Sequence, residues 1–292
     1  LADISVLLQF LFSGITMGSI YALIAVSLVI VYNVSRVLCF AQGEFFVYGA
    51  LTMIGLTSVG VPMPIGFLLT LLIVGGLGMA IERLLIRPIR DASVGTLITM
   101  TVAISLCLRG LGLLVAGREA HPLPPFTKGE ALSVLGAFLP IQVIWIALAV
   151  IVALIGIWLF FEKSIYGLSL RACAENRLGA SLVGISTWKA TIFAWAWGAA
   201  LGALAGMVIA PLIYVQYVSG TMPMLKGFTA MAIGGLTTVG SVIAGLLLGV
   251  LEAYTIGLVS SEFADAIVFT ILILVLLARS YGILGSSEDG GM

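Results

Sequence analysis

Apolar residues in this chain run in unbroken blocks rather than alternating with polar ones, and short segments between the blocks hold most of the charge. About 20 residues of helix cross a hydrocarbon core of about 30 Å. Blocks near 5–32, 38–59, 65–86, 94–116, 138–161 and 188–214 therefore predict six membrane-spanning helices. A further apolar region from about 225 to 258 is interrupted by Gly234-Gly235 and by Thr237-Thr238-Val239-Gly240-Ser241, and a last block lies near 264–279. The interrupted region reads as one span plus a half-helix or as two short spans. The expected fold class is all-α, a polytopic transmembrane helical bundle of about 8–9 spans with short or broken helices in the C-terminal third. With no repeat of 20 to 50 residues and no long polar linker, the chain reads as a single domain, 1–292.

Composition changes this picture only by strengthening it. Apolar residues make up 61% of the chain and charged residues 9%, against about 25% charged in a soluble domain. The total charge is balanced, which excludes the basic excess of a nucleic-acid partner. Placement carries more information. Arg36, Arg83, Arg87, Arg90, Lys163, Arg171, Arg177, Lys189 and Arg279 fall on alternate loops and the C-terminal tail, whereas Arg118, Lys128 and Lys226 fall on the opposite side. Lys and Arg concentrate in short cytoplasmic loops, so the N-terminus is expected outside and the C-terminus in the cytoplasm. Opposite ends need an odd number of crossings, which favours two short crossings at 225–258 and about nine passes in all. No basic stretch precedes the first apolar block, so that block is expected to remain a span rather than a cleaved signal.

The residues that carry chemistry elsewhere are sparse. No phosphate loop, paired zinc-binding histidines or nucleophile with a nearby histidine occurs, so the chain is not expected to be an enzyme. Cys39, Cys107 and Cys173 are scattered and form neither a disulfide framework nor a metal site, and His121, in the long outer loop at about 117–137, reads as a solvated loop residue. Glycines are patterned: Gly14 and Gly18, then Gly198, Gly202 and Gly206, then Gly245 and Gly249 recur four apart, a spacing that lets helices approach closely in lipid.

Glu44, Arg109 and Glu252 lie inside apolar blocks, where a charge at the helix centre costs roughly 2.5–3.5 kcal/mol on a translocon scale, so each should face the bundle interior with a partner. Arg109 and Glu252 lie toward the outer face, where intramembrane charge pairing is expected of them. Gln42, Gly43 and Glu44, together with Gly234 and Gly235, are the candidates for lining a pathway; a buried hydrogen-bonded strut is the alternative for Gln42-Gly43-Glu44. Between Ser164 and Lys189, Leu170, Ala174, Leu178, Leu182 and Ile185 recur at helical spacing beside an Arg171/Glu175 pair four apart. This predicts a helix of about 15 residues along the membrane surface, either a docking element or a plain interfacial helix.

Five segments in order resemble the inner-membrane permeases of branched-chain amino acid (Liv-type) ABC importers over almost the whole length. The first is Gly18-Ser19-Ile20-Tyr21-Ala22-Leu23-Ile24-Ala25 with Cys39-Phe40-Ala41-Gln42-Gly43-Glu44, in which Cys39 and Gln42 stand where the family usually has Asn and His. The second is Glu82-Arg83-Leu84-Leu85-Ile86-Arg87-Pro88-Ile89-Arg90, and the third runs from Gly167 through Arg171 and Asn176 to Gly184-Ile185. The fourth joins Leu225-Lys226-Gly227-Phe228, Gly234-Gly235-Leu236 and Gly245-Leu246-Leu247-Leu248-Gly249, with Glu252 behind. The fifth is Ala278-Arg279-Ser280-Tyr281-Gly282-Ile283-Leu284-Gly285, where the family usually has Arg-Pro.

The resemblance implies a coupling helix at about 168–186, with Arg171, Glu175, Asn176, Gly179, Gly184 and Ile185 as ATPase-coupling residues. It implies a second homologous permease subunit, two ABC ATPase subunits that carry the ATP and Mg, and a periplasmic or extracellular solute-binding protein. No cofactor or metal is implied for this chain. The expected setting is the bacterial cytoplasmic (inner) membrane, and the expected cargo is a branched-chain amino acid or a related small polar solute such as an amide, urea or small organic acid. An ion-coupled secondary transporter is the rival reading, kept by Glu44 and Glu252. An intramembrane enzyme is the third class, and co-purification with an ATPase separates the first from both.

Overall fold

The computed structural model describes residues 2–127, 129, 132–134 and 136–278. Lys128, Arg279 and the rest of the fifth segment, 280–285, lie outside the described residues. In chain order the helices are α1 (Ala2–Ser35), α2 (Gln42–Ser58), α3 (Met63–Ile81), α4 (Val94–Ala116), α5 (Ile141–Lys163), α6 (Ile165–Glu175), α7 (Arg177–Leu182), α8 (Thr187–Ile209), α9 (Thr221–Ile233), α10 (Thr238–Leu258) and α11 (Ser261–Ala278). A π turn, Glu82–Ile86, and a 3-10 turn, Arg87–Ile89, continue α3. The sole described sheet is a hairpin of β1 (Leu132–Val134) and β2 (Ala137–Leu139) in the long loop, pairing Ser133 with Phe138.

Six described helical segments are long and apolar enough to cross a membrane: Ile4–Ser35, Met63–Ile89, Val94–Ala116, Ile141–Lys163, Thr187–Ile209 and Thr238–Leu258. The 17-residue α2 and 13-residue α9 are shorter, and α11 is described only to Ala278. The interrupted region is thus a short helix followed by a long one, and of the two only α10 is long and apolar enough to cross a membrane. At 1.5 Å per residue, α9 measures about 20 Å and α10 about 31 Å. The break is local chemistry. Gly235 and Leu236 both take positive φ, +66° and +60°, and the Thr237 hydroxyl then caps α10 by accepting from the Gly240 amide at 3.1 Å.

The chain divides into two compact units, one of residues 1–29, 125–148 and 222–292, the other of 30–124 and 149–221. In the first, the glycine pattern is a backbone seam. A methyl group on Gly18 would sit 2.8 Å from the Leu246 Cα, and one on Gly245 would sit 2.6 Å from the Ala22 amide nitrogen, so α1 and α10 touch main chain to main chain. One end of this unit is closed by Gln9, whose side chain exchanges two hydrogen bonds with the Phe138 backbone at 2.9 and 3.0 Å, and by the Tyr254 hydroxyl donating to the Leu7 carbonyl at 3.2 Å.

In the second unit α2, α3 and α8 form the centre, with a core that includes Phe45, Val74, Ile81, Ile104, Leu108, Trp195 and Ala203. Gly49 faces Ala203 and Gly206 faces the Phe46 carbonyl, again without room for a side chain. The histidine of the long loop is not merely solvated. His121 is half-buried, pairs its backbone with Val215 in both directions, and brings Nε2 to 2.7 Å from the Ala116 carbonyl, so that nitrogen carries the proton and donates.

Candidate functional site

Three places gather the polar side chains that an apolar chain does not place casually. The first is the start of α2 in the 30–124/149–221 unit. Gln42 and Glu44 are 0% and 1% exposed. Gln42 Nε2 donates to the Gly198 carbonyl at 2.7 Å, and Gly220 lies so close to the Gly43 carbonyl that it has no space for a Cβ. Glu44 Oε1 accepts from Ser105 Oγ at 3.0 Å and from Arg109 Nη2 at 2.7 Å and Nε at 3.2 Å. The same Nη2 reaches Thr221 Oγ1 at 3.0 Å. Ser105 and Arg109 stand four apart on α4, so one helical face delivers both to the carboxylate. Glu44 Oε2 and Gln42 Oε1 are buried with no hydrogen-bond partner among the described residues.

The second place is in the other unit. Lys226 of α9 sits between Glu252 of α10, at 2.8 Å, and Asp265 of α11, at 2.7 Å. The Tyr21 hydroxyl of α1 donates to the other oxygen of Glu252 at 2.8 Å, and the Lys226 ammonium lies 5.6 Å from the Tyr21 ring centre. Four helices meet on one ammonium. Arg109 and Glu252 are therefore both ion-paired, but with Glu44 and Lys226 respectively. Sequence reasoning placed Lys226 among the outer-side charges and passed over Tyr21 and Asp265; the lysine is in fact buried within α9. The available signal was Lys226 inside the apolar stretch 225–258, a position that demands a carboxylate. Gly234 and Gly235 form the α9–α10 turn, where Gly234 packs against Gly240 and Ser241.

The third place is the α6–α7 pair. One helix was expected over 168–186, but Asn176 interrupts it. Its backbone is extended, at φ −145° and ψ 101°, and its Oδ1 accepts from the Gly179 amide at 2.8 Å, capping α7 instead of prolonging α6. The expected Arg171/Glu175 pair is replaced as well. Gly167 lets α6 lie directly on Phe160 and Phe161 of α5, and this places Arg171 2.7 Å from Glu162. The apolar face divides accordingly: Leu170 is buried, whereas Leu178 and Leu182 are 73% and 80% exposed, beside Val183 at 76%. Arg36 Nη2 donates to the Ala174 carbonyl at 2.8 Å and fixes α6 to the end of α1. Burial pushes the Cys173 thiol up, opposed by the nearby Arg177 charge. Gly184 follows with φ +86° and open space around it.

No group of three or more His, Cys, Asp or Glu side chains that could hold a metal occurs among the described residues. Comparison with known proteins places these features in a family. Residues 10–276 match the family described as the branched-chain amino acid transport system / permease component. The high-affinity branched-chain amino acid transport system permease protein LivH of Salmonella typhimurium is 33% identical over 299 residues, covering 96% of each chain. The corresponding permease protein BraD of Pseudomonas aeruginosa is 32% identical over 301 residues, again covering 96% of each. The autoinducer 2 import system permease protein LsrC of Yersinia enterocolitica is 30% identical over 221 residues, 73% of this chain and 58% of its own length. No solved structure matches. With a family match across nearly its full length and relatives aligned end to end, the chain belongs to the branched-chain amino acid transport system permease family.

Proposed function

We propose that this chain is the membrane-embedded permease subunit of an ATP-driven importer, forming half of a translocation pathway with a second, homologous permease. Two ATPase subunits drive it from the cytoplasmic side, and a soluble binding protein delivers a branched-chain amino acid or a related small polar solute from outside. The observation that carries this reading is the α6–α7 pair. It is anchored on α5 and α1 by Gly167 and Arg36, yet it leaves Leu178, Leu182 and Val183 uncovered. Three large apolar side chains on six consecutive residues outside the spans suit burial against another protein.

In this mechanism ATP-driven closure of the ATPase subunits moves α6–α7, with Arg171, Glu175, Asn176, Gly179, Gly184 and Ile185 in the moving segment. Arg36, α5 and the start of α8 pass the displacement to the spans, whose main-chain contacts at the glycine seams allow rigid tilting between two packings. The polar start of α2, Gln42, Gly43 and Glu44, and the turn at Gly234 and Gly235 are proposed to lie along the pathway. Arg109 and Glu252 serve as fixed charges whose pairs hold the helices around it.

The test is reconstitution in liposomes with the ATPase subunits, the second permease and the binding protein. Uptake should require ATP, and Leu178→Asp with Leu182→Asp should abolish ATPase co-purification and uptake while the protein still inserts. Uptake by the chain alone, without nucleotide, would overturn the reading in favour of a secondary transporter.

A further inference from the structure

The segment that ends α3 does more than turn the chain. In Glu82-Arg83-Leu84-Leu85-Ile86-Arg87-Pro88-Ile89-Arg90, Ile86 is buried in the core while Arg87 and Arg90 are exposed. The Arg87 guanidinium lies 4.7 Å from the centre of the Trp188 ring, and the Lys189 ammonium lies 5.8 Å from that same ring. Arg177, the first residue of α7, is half-buried and reaches Thr191 Oγ1 at 3.4 Å, one turn further along α8. Arg90 is close enough to disfavour the charge on Arg177, adding to the effect of burial.

Against these four cations stand two carboxylates. Asp91 is almost fully exposed and meets Arg90 only at 3.6 Å, and the buried Glu82 keeps one oxygen, Oε2, without a hydrogen-bond partner among the described residues. A loop that needed only positive charge for topology would leave its cations apart in water. Here three elements bring theirs together, one of them partly out of water beside a like charge. An added anion would balance the remaining positive charge, and guanidinium groups suit phosphate oxygens in particular.

The surroundings identify the source of that phosphate. The patch closes the ends of two apolar segments, Met63–Ile89 and Thr187–Ile209. Leu84 and Leu85, on the π turn itself, are exposed apolar side chains beside it. Trp188 is the residue type that settles at a membrane–water interface. Cations above, an aromatic at the boundary and bare leucines beside them match a lipid rather than a free anion.

We propose that Arg87, Arg90, Arg177 and Lys189 hold the headgroup phosphate of an anionic phospholipid, with its acyl chains along the Leu84–Leu85 face. The site rests on the reading that these two segments cross a bilayer. Because Arg177 opens α7, the bound lipid ties the coupling pair to α3 and α8.

The purified full chain, delipidated and titrated with phosphatidylglycerol or phosphatidylcholine, is read by native mass spectrometry and by thermal unfolding in detergent. Phosphatidylglycerol should remain bound and raise the unfolding temperature, whereas phosphatidylcholine at equal concentration should not. Replacing Arg87, Arg90 and Arg177 together by Gln should cut phosphatidylglycerol retention by about tenfold or more, while Arg118→Gln, in the long loop, should leave it unchanged. If the triple variant does not fold, Lys189→Gln and the lipid-dependent shift of the unmodified protein decide the matter. Equal retention by the variants, displacement of the lipid by millimolar inorganic phosphate, or protection of the patch only by added ATPase subunits would overturn the site. Recovery of the chain in an alkaline-washed soluble fraction would instead overturn the membrane reading on which the site depends.

Discussion

A carboxylate with 1% exposure and a guanidinium 2.7 Å away are two halves of one energetic unit at Glu44 and Arg109. Removing one partner of such a buried pair costs about 3–5 kcal/mol, because the other is left charged or is forced to neutralise, whereas removing both is often close to neutral. Arg109→Met should therefore lower the unfolding midpoint of the purified protein sharply, and Glu44→Gln combined with Arg109→Met should recover most of the loss. Equal midpoints for the single and double variants would show that Arg109 acts by packing alone. The same logic is more severe at Lys226, which separates two carboxylates. Lys226→Met should destabilise the chain more than Glu252→Gln does, and the pair of changes together should be milder than Lys226→Met alone. Sequence could say that Glu44, Arg109 and Glu252 need partners, because a lone charge in hydrocarbon is so costly. It could not name the partners, since depth along a helix says nothing about the direction in which a side chain faces; Glu44 and Arg109 are 65 residues apart.

Among the elements, the glycine seams were legible because a four-residue spacing fixes one face of a helix, and the α1–α10 contact uses Gly14, Gly18, Gly245 and Gly249 as that spacing requires. Gly18→Leu and Gly245→Leu should each prevent accumulation of folded protein, since the clash is with backbone that cannot swing aside. Gly76→Leu, on α3 with nothing within 4 Å of its Cβ direction, should be tolerated. Protease resistance of membrane-extracted protein separates these outcomes, and a folded Gly18→Leu variant would mean that the helices are not in main-chain contact. The α6–α7 pair was legible only as an amphipathic stretch. Its period was real over Leu170 and Ala174, but the Asn176-to-Gly179 cap, three residues apart, signals a new helix start that the continuing run of leucines obscures. Asn176→Ala removes the cap, at a cost of about 1 kcal/mol, and lets α6 run into α7. ATP hydrolysis by the assembled complex should then persist with reduced uptake, and undiminished uptake would show that the bend between the helices is unimportant.

For the molecule as a whole, the contacts show, within each unit, which helix ends share a level. Within the 1–29/125–148/222–292 unit, Leu7 and Gln9 near the start of α1 meet Tyr254 near the end of α10 and the hairpin at Phe138, so these lie at one end. Within the other unit, Arg36 at the end of α1 meets Ala174, and Arg87 at the end of α3 meets Trp188 at the start of α8, while His121 after α4 meets Val215 after α8. Each contact joins ends that alternate crossings would place on the same face. Tyr254 stands 16 residues after Thr238 in α10, so the Gly234–Thr237 turn lies about 24 Å from the level of Leu7. The orientation expected from the placement of charge, with the N-terminus outside and the C-terminus in the cytoplasm, requires an odd number of crossings. A tag placed before residue 2 should accordingly be accessible from outside intact cells and a tag after residue 292 only after permeabilisation. Single cysteines at Arg90 and Leu178 should react from the cytoplasmic side, and those at Gly60 and Ser219 from the outer side. Both tags on one face would make α9 a re-entrant hairpin with the turn inside the bilayer, and the Lys226–Glu252–Asp265 cluster would then hold a loop in place rather than brace three crossing helices.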